Sequence, residues 1–206
     1  MVKVKICGIT NLKDAKVSVD AGCDALGFVF YKKSPRYIIP EKAEDIIKQL
    51  PAHVLKIGVF VNTPEKVVKR IAKLCHLDIL QFHGDESAQF CQKFKNYRII
   101  KVFRIKDKIE LPKILRYKVF AYLFDTHIRS KIGGTGKKFN WRLLENLSGI
   151  KKHIFLSGGL NEKNVQKAIK LIRPDWVDVS SSVEIRPGEK SHKRVKNFIH
   201  AARKKI

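Results

Sequence analysis

A reactive side chain follows the first apolar segment of the chain. Val4 and Ile6 in KVKICGIT alternate as in a strand, and Cys7 stands beside the turn residue Gly8. Loops at the carboxyl ends of strands converge on one crevice in α/β enzymes, so Cys7 is a candidate for chemistry. A buried core thiol is the other interpretation, because free cysteine is among the most buried residue types.

Four more polar residues stand close to the ends of later apolar segments. His83 and Asp125 each end one, Asp178 lies within the last one, and Arg36 lies in the loop after the second. If these segments are parallel strands, the side chains meet at one edge of the sheet and can share a site. The alternatives are a capping or ion-paired carboxylate for Asp125, a structural hydrogen bond for His83 and a surface cation for Arg36.

Small residues follow the last two apolar segments. Gly158 and Gly159 stand in LSGGL, and Ser180 and Ser181 stand in DVSSS. Glycine lets the backbone approach a ligand closely, and loops after the last two strands of a barrel commonly bind phosphate through backbone N–H groups. Tight turns would need the same residues, but their presence at both ends together favours a phosphate site.

Strand and helix patterns alternate along the whole chain. After the first strand, further strands are predicted at residues 24–31, 55–62, 78–84, 98–105, 119–126, 153–159 and 176–181. Eight such units predict a single-domain α/β protein over residues 1–206, a (β/α)₈ barrel of the TIM type. An open doubly wound sheet is the alternative, but no G-x-G-x-x-G follows the first strand.

The predicted helices take their boundaries from capping residues. Asn11 caps a helix through Ala21, and Pro40 opens one through Leu50. Other helices are predicted from Thr63 and Pro64 to Leu74, after Asp85, weakly around Pro112, from about Asn140 behind the glycine-rich loop 128–138, after Asn161, and at residues 190–205.

Lysine and arginine outnumber aspartate and glutamate by 43 to 19, for a formal net charge of +24. Such a charge raises nucleic acid as a partner, but the lysines occupy the polar positions of the predicted helices rather than one dense stripe. We therefore expect solvated helix faces and no specific nucleic-acid binding. No apolar run approaches the ~20 residues of a membrane span, and no signal peptide is recognisable, so we expect a cytoplasmic protein that binds no membrane.

The four cysteines are widely spaced and form no C-x-x-C pair. Their spacing is not that of a zinc site or a disulfide framework, so we expect neither a metal nor disulfides.

An ordered set of motifs resembles the phosphoribosylanthranilate isomerase family of tryptophan biosynthesis. The motifs are KICGIT, GFVFYKKSPR, GVFVN, QFHG, FDT, GGTGKKFNW, LSGGL and DVSSSVE, between Lys3 and about Gly188. The resemblance implies an Amadori rearrangement of N-(5'-phosphoribosyl)anthranilate, an aminoaldose, to the 1-deoxyribulose 5-phosphate aminoketose, without a cofactor. Its partner is then a small phosphorylated substrate, and the protein is a monomer or a homodimer.

The resemblance also implies roles for individual residues. Asp125 matches the general acid that protonates the ring oxygen, and Cys7 matches the general base that removes the C2' proton from the Schiff base. Arg36 matches the residue that meets the anthranilate carboxylate, a task suited to a planar cation. His83 matches a histidine of the site whose role is less defined. Asp178 is expected to support the site by holding the phosphate loop or a neighbouring polar group.

Three positions carry secondary expectations. Lys5 is expected to form an ion pair inside the barrel, about 7 Å along the strand from Cys7, and so to be a poor electrostatic neighbour of the thiol. Ser182 replaces the family's usual glycine, with a strain cost of about 1 kcal/mol if this position needs φ above zero. Ile39 replaces the usual polar cap before Pro40 and weakens that helix start.

Two other functions fit the sequence less well. A related phosphosugar barrel is the first, such as indole-glycerol-phosphate synthase or the imidazole-pathway aminoaldose isomerase, but the latter would be expected to have an aspartate where Cys7 stands. A basic nucleic-acid-binding protein on a barrel scaffold is the second.

Overall fold

The computed structural model describes residues 1–105, 109–125 and 150–204. Eight parallel strands in sequential order close into one barrel, which confirms the predicted (β/α)₈ fold. The strands are β1 Lys3–Cys7, β2 Ala25–Val29, β3 Leu55–Phe60, β4 Ile79–Phe82, β5 Arg98–Arg104, β6 Ala121–Asp125, β7 His153–Ser157 and β8 Trp176–Val179.

Helices in the described residues follow these strands. They are α1 Leu12–Asp20, α2 Pro40–Ile47, α3 Glu65–Leu74, α4 Ala88–Gln92, α5 Leu111–Leu115, α6 Val165–Ile172 and α7 His192–Arg203. Asn11 caps α1 as predicted, since its side chain accepts a hydrogen bond from Asp14 N. Ile39 makes no side-chain cap before Pro40, also as predicted. Among the described helices none is long and apolar enough to span a membrane.

Alternation along the strands builds two apolar layers, because successive side chains point to opposite faces of a sheet. On β1, Val4 and Ile6 point outward and pack in the large cluster beneath the helices. The smaller cluster fills the interior and consists of Ala25, Ile57, Ile79, Ile100, Val102, Ala121, Leu123, Phe155 and Trp176. Buried polar residues with the inward register, among them Lys5, Gln81 and Asp178, lie beside this interior cluster.

Three predicted helix starts are wrong, and different hydrogen bonds are found at each predicted start. Helix α3 begins at Glu65 after Pro64, and Thr63 Oγ1 instead donates to Val61 O. Asp85 lies before the start of α4, where its N–H donates to Asn62 Oδ1, and the cap is Ser87, whose side chain accepts from Phe90 N.

Asn161 stands before a turn that precedes α6. Its side chain accepts from Lys163 N and Asn164 N, so the helix itself begins only at Val165. Phe94, predicted inside the fourth helix, lies beyond the end of α4.

The connection between β8 and α7 contains structure that the sequence patterns do not predict. A short 3₁₀ helix, Ser181–Val183, leads into an antiparallel hairpin of β9 Glu184–Arg186 and β10 Glu189–Lys190. Lys190 therefore belongs to the hairpin, and Ser191 caps α7 by accepting from Arg194 N. The predicted loop 128–138, the helix from Asn140 and the end of the sixth strand at Thr126 lie outside the described residues.

Candidate active site

Cys7 is the last residue of β1 and points into the mouth of the barrel. Its side chain packs against Val29 and Val59, and the residue is 8% exposed. Gly27 lies opposite it on β2, and a Cβ at that position would stand 2.7 Å from Cys7 Sγ. The thiol therefore occupies space that only a glycine on β2 leaves open.

Two charged residues set the electrostatics of this thiol. Lys5 Nζ donates to Asp178 Oδ1 at 2.9 Å, and its positive charge also acts on the Cys7 thiol. Burial raises the pKa of Cys7 above its ordinary value, and although the cations Lys5 and Lys190 oppose this, the net direction is upward. The predicted Lys5 ion pair is confirmed, and the charge of Lys5 opposes the raised pKa of Cys7 without outweighing burial.

Asp125 ends β6, which two strands, β7 and β8, separate from β1 around the barrel. Its Oδ2 lies 3.5 Å from His83 Nε2, and the two side chains are 21% and 27% exposed. On the other edge of the imidazole, His83 Nδ1 lies 3.3 Å from Gln81 Nε2. Arg104 Nη2 donates to the backbone carbonyl of His83 at 3.0 Å, so the loop after β4 is held against β5.

Arg36 lies in the loop after β2 and reaches over the end of β1. Its Nε and Nη2 donate to the two carboxylate oxygens of Glu184, at 2.8 and 2.6 Å. Gly8 makes room for it: φ is +80°, and a Cβ there would stand 2.7 Å from Arg36 Cδ. Within the described part of the chain, Nη1 of this guanidinium donates no hydrogen bond.

Glu184 is buried between two cations. Burial raises its pKa, but the hydrogen bonds from Arg36 and the charge of Lys190 outweigh this, and the net direction is downward. The carboxylate is therefore ionised at neutral pH, and it orients one edge of the Arg36 fork.

The loops after β7 and β8 carry the residues predicted to bind phosphate. Gly158 and Gly159 have φ values of +90° and +70°, a conformation that a side chain would strain. Asn164 Nδ2 donates to Gly159 O at 2.9 Å and holds the first loop. In the second, Ser180 Oγ is buried and has no hydrogen-bond partner among the described residues, so it is available to a ligand.

Ser182 does not carry the strain that a glycine position with positive φ would impose. The described non-glycine residues with positive φ are Asn62, His76 and Arg173, so the condition under which Ser182 would be strained is not met. Its hydroxyl instead donates to Leu160 O and links the two phosphate-side loops.

Every residue predicted for the site lies at the carboxyl end of the barrel. The structure brings Cys7 together with Asp178 through Lys5, and it brings His83 together with Asp125. Cys7 and Asp125 themselves face the mouth from different sides, across the space where a substrate would lie.

Sequence reasoning missed several residues that hold this arrangement. Glu184 was visible at the end of the motif DVSSSVE, but nothing local shows that it pairs with a residue 148 positions earlier. Gly27 and Gln81 stand in the motifs GFVFYKKSPR and QFHG, but the motifs do not show what these residues contact. Lys190 lies outside every motif, and its side-chain partner Cys7 is 183 positions earlier.

Comparison with known proteins identifies the family of this chain. The sequence model of the family described as N-(5'phosphoribosyl)anthranilate (PRA) isomerase matches residues 4–201. A relative from Pelobacter propionicus, an N-(5'-phosphoribosyl)anthranilate isomerase, is 48% identical over 203 residues, covering 98% of this chain and 96% of its own.

Solved structures give the same result. Phosphoribosyl anthranilate isomerase from Thermotoga maritima is 44% identical, with a TM-score of 0.91 and 98% of each chain covered. A second crystal structure, of the enzyme with reduced 1-(o-carboxyphenylamino)-1-deoxyribulose 5-phosphate, is 42% identical with a TM-score of 0.89 and the same coverage. A third describes monomers generated from the dimeric Thermotoga maritima enzyme, at 40% identity, a TM-score of 0.89 and full coverage of both chains. The chain therefore belongs to the N-(5'-phosphoribosyl)anthranilate isomerase family of tryptophan biosynthesis.

Proposed function

We propose that this chain catalyses the Amadori rearrangement of N-(5'-phosphoribosyl)anthranilate with Asp125 as general acid and Cys7 as general base. The observation that carries the proposal is the placement of a carboxyl group on β6 and a buried thiol on β1 at one barrel mouth. The reaction needs two proton transfers on different atoms of one substrate, so two groups facing it from different sides suit it.

The first proton transfer opens the sugar ring. Asp125 donates its proton to the furanose ring oxygen while the anthranilate nitrogen supplies the electron pair that forms the C1'–N double bond. The product of this step is a cationic Schiff base with a free hydroxyl group. His83, 3.5 Å from Asp125, is placed to orient the carboxyl group.

The second proton transfer moves electrons from C2' into this Schiff base. Cys7 removes the C2' proton as a thiolate, and the resulting enolamine tautomerises to the aminoketose. Because the pKa of Cys7 is raised by burial in the free protein, the resting group is a neutral thiol. The positive charge of the Schiff base formed by ring opening stabilises the thiolate, so the thiol releases its proton to solvent at that stage and can then accept the C2' proton.

Substrate binding uses both ends of the molecule. Arg36 keeps donors beyond those bound to Glu184, and these meet the anthranilate carboxylate beside the apolar wall of Val29 and Val59. The phosphate lies at the other end, against backbone N–H groups of Gly158, Gly159 and Ser181 and the hydroxyl of Ser180. Asp178 supports the site through Lys5.

The whole chain, residues 1–206, acts in this proposal as one catalytic domain without a cofactor or metal. We place it in the cytoplasm, as a monomer or homodimer that binds no nucleic acid specifically. Size-exclusion chromatography with light scattering determines the oligomeric state. Gel shifts across a salt series test nucleic-acid binding, because a protein that tracks phosphates loses affinity steeply with salt.

The direct test of the function is an assay with freshly prepared phosphoribosylanthranilate, followed by the loss of its fluorescence. We expect turnover without added metal or cofactor, competitive inhibition by inorganic phosphate, and a melting temperature that rises with phosphate by mass action. Absence of turnover in protein shown to be folded by circular dichroism would overturn the proposal.

A further inference from the structure

Lys190 is a buried cation to which the reaction steps above assign no role. It lies on β10 in the connection after β8 and is 1% exposed. Its Nζ donates to Cys7 O at 2.6 Å, to Glu184 Oε1 at 2.9 Å and to Ser180 O at 3.3 Å. All three donors of the ammonium group are therefore used.

Each of these acceptors belongs to a different part of the candidate site. Cys7 O is the carbonyl of the proposed base, Ser180 O lies in the phosphate-side loop, and Glu184 is the carboxylate that orients Arg36. We propose that Lys190 is a positioning residue that holds Glu184, and through it the carboxylate-binding Arg36, in register with Cys7. The inference rests on the proposed function of Arg36 and deepens it.

The backbone of Lys190 is anchored as firmly as its side chain. Its N–H donates to Asp14 Oδ2 at 2.8 Å, and Asp14 is itself bound by Asn11 Nδ2 at 2.8 Å. His192 Nε2 lies 3.0 Å from the other oxygen of the same carboxylate. With both ends held, the ammonium group has little freedom to leave the cluster.

Stability alone gives a weak reason for this arrangement. Buried ion pairs often contribute no more than apolar residues of the same volume, because desolvation offsets the attraction. Burial lowers the pKa of Lys190, and the attraction of Glu184 does not fully restore it. A cluster that is costly to bury and that joins three parts of a site is better explained by function.

Charge counting shows what the third member adds. Arg36 and Glu184 alone would form a neutral pair with little attraction for an anion. With Lys190, two cations share one carboxylate, so the cluster keeps one net positive charge beside the free edge of Arg36. Lys190 is therefore expected to strengthen binding of a carboxylate specifically, as well as to hold the fork in place.

The test compares two ligands that differ only in that carboxylate. The first is reduced 1-(o-carboxyphenylamino)-1-deoxyribulose 5-phosphate and the second is its phenylamino counterpart, which lacks the carboxyl group. Both carry the same phosphate, so any change in the phosphate loop affects both affinities and cancels in their ratio. Calorimetry measures the ratio in the wild type, Lys190→Met, Lys190→Gln and Lys193→Met; Lys193 is exposed and serves as the charge-matched control.

We expect Lys190→Met to lower the ratio of affinities about tenfold, the scale of losing one close unit charge. Lys190→Gln should lower it similarly and secure the test if the methionine variant folds poorly, whereas Lys193→Met should leave it unchanged. With substrate, KM should rise more than kcat falls. Equal weakening of both ligands, or no change, in folded variants would overturn the role of Lys190. If the wild type neither turns over substrate nor prefers the carboxylated ligand, the proposed function itself fails.

Discussion

The two sides of the barrel mouth differ in how tightly they are assembled. The base side consists of Lys5, Cys7, Arg36, Asp178, Glu184 and Lys190, and the acid side of Gln81, His83, Arg104 and Asp125. Polar contacts among the base-side side chains are 2.6 to 2.9 Å long, and most of these residues are buried. On the acid side, His83 lies 3.5 Å from Asp125 and 3.3 Å from Gln81, and His83 and Asp125 are partly exposed.

The difference matches what each proton transfer demands. A buried thiol becomes a useful base only where surrounding charges control its pKa, so the base side needs a rigid arrangement of ions. The acid must instead carry its proton when the substrate binds, and His83, 3.5 Å from Asp125, is a neighbour that can orient it. We therefore expect substitutions on the base side to change pKa values and binding, and substitution of the acid to remove one step.

The largest effects are expected from the two reacting groups, one on each side. Cys7→Ala and Asp125→Asn should each lower kcat by about 10²- to 10⁴-fold, the usual contribution of a positioned acid or base. Cys7→Ser should lose nearly as much kcat as Cys7→Ala because a hydroxyl group ionises far less readily than a thiol. Cys7→Asp can restore some activity because it offers a carboxylate as the base. Turnover and affinity for the reduced product analogue are measured for all four variants.

Asp125→Asn should still bind that analogue, because it loses ring opening rather than binding. Cys23→Ala, a buried cysteine outside the site, and Asp20→Asn, an exposed aspartate, are the matched controls. Substantial turnover in Cys7→Ala would mean that Cys7 is not the general base, and substantial turnover in Asp125→Asn would mean that Asp125 is not the general acid.

The next effect tests substrate recognition on the base side. Arg36→Lys keeps the charge but loses the bidentate geometry, so KM should rise about 10-fold or more while kcat changes less. Steady-state kinetics with freshly prepared substrate give both constants. Unchanged constants in Arg36→Ala would exclude the carboxylate role.

A smaller effect is expected on the pH dependence of kcat/KM, which should respond to the charged residues of the base side. The rising limb of kcat/KM reports the thiolate of Cys7, whose charged neighbours are Lys5, Asp178, Lys190 and Arg36. Lys5 lowers the pKa of Cys7 and Asp178 raises it. Lys5→Met should therefore move the limb to higher pH, and Asp178→Asn should move it to lower pH, by about one unit each.

Each variant leaves the other member of the buried Lys5–Asp178 ion pair without its opposite charge. Circular dichroism must therefore first confirm that the variants fold. Shifts in the same direction for both variants, or no shift in either, would contradict this account of the base side.

The smallest expected effect concerns the link between the phosphate-side loops. Ser182→Gly removes the hydrogen bond to Leu160 O, so phosphate affinity should fall about fivefold, the equivalent of a net hydrogen-bond contribution near 1 kcal/mol. Titration with inorganic phosphate measures it, and Ser191→Gly, which alters the cap of α7, serves as the comparison. Tighter phosphate binding in Ser182→Gly would contradict this role and would mean that the hydrogen bond to Leu160 O does not favour the phosphate-binding conformation of the loops.

Local pattern predicted most of the fold because apolar periodicity is a property of neighbouring residues. The strands, the cap at Asn11 and the short fifth helix all follow from residues within a few positions of one another. Helix starts at Ser87 and Asn164 were missed because Asp85 and Asn161 form other hydrogen bonds, in one case with a residue on a different loop.

The sequence by itself determined the alternating strands and which residues stand at their ends, and eight such units without a G-x-G-x-x-G favoured the closed barrel over an open sheet. Only the tertiary structure decided how those residues are charged and oriented. Arg36 meets Glu184 148 positions away, and Lys190 meets Cys7 183 positions away. Contacts of this kind depend on which loops cross the barrel mouth, and no spacing along the chain encodes a distance across it.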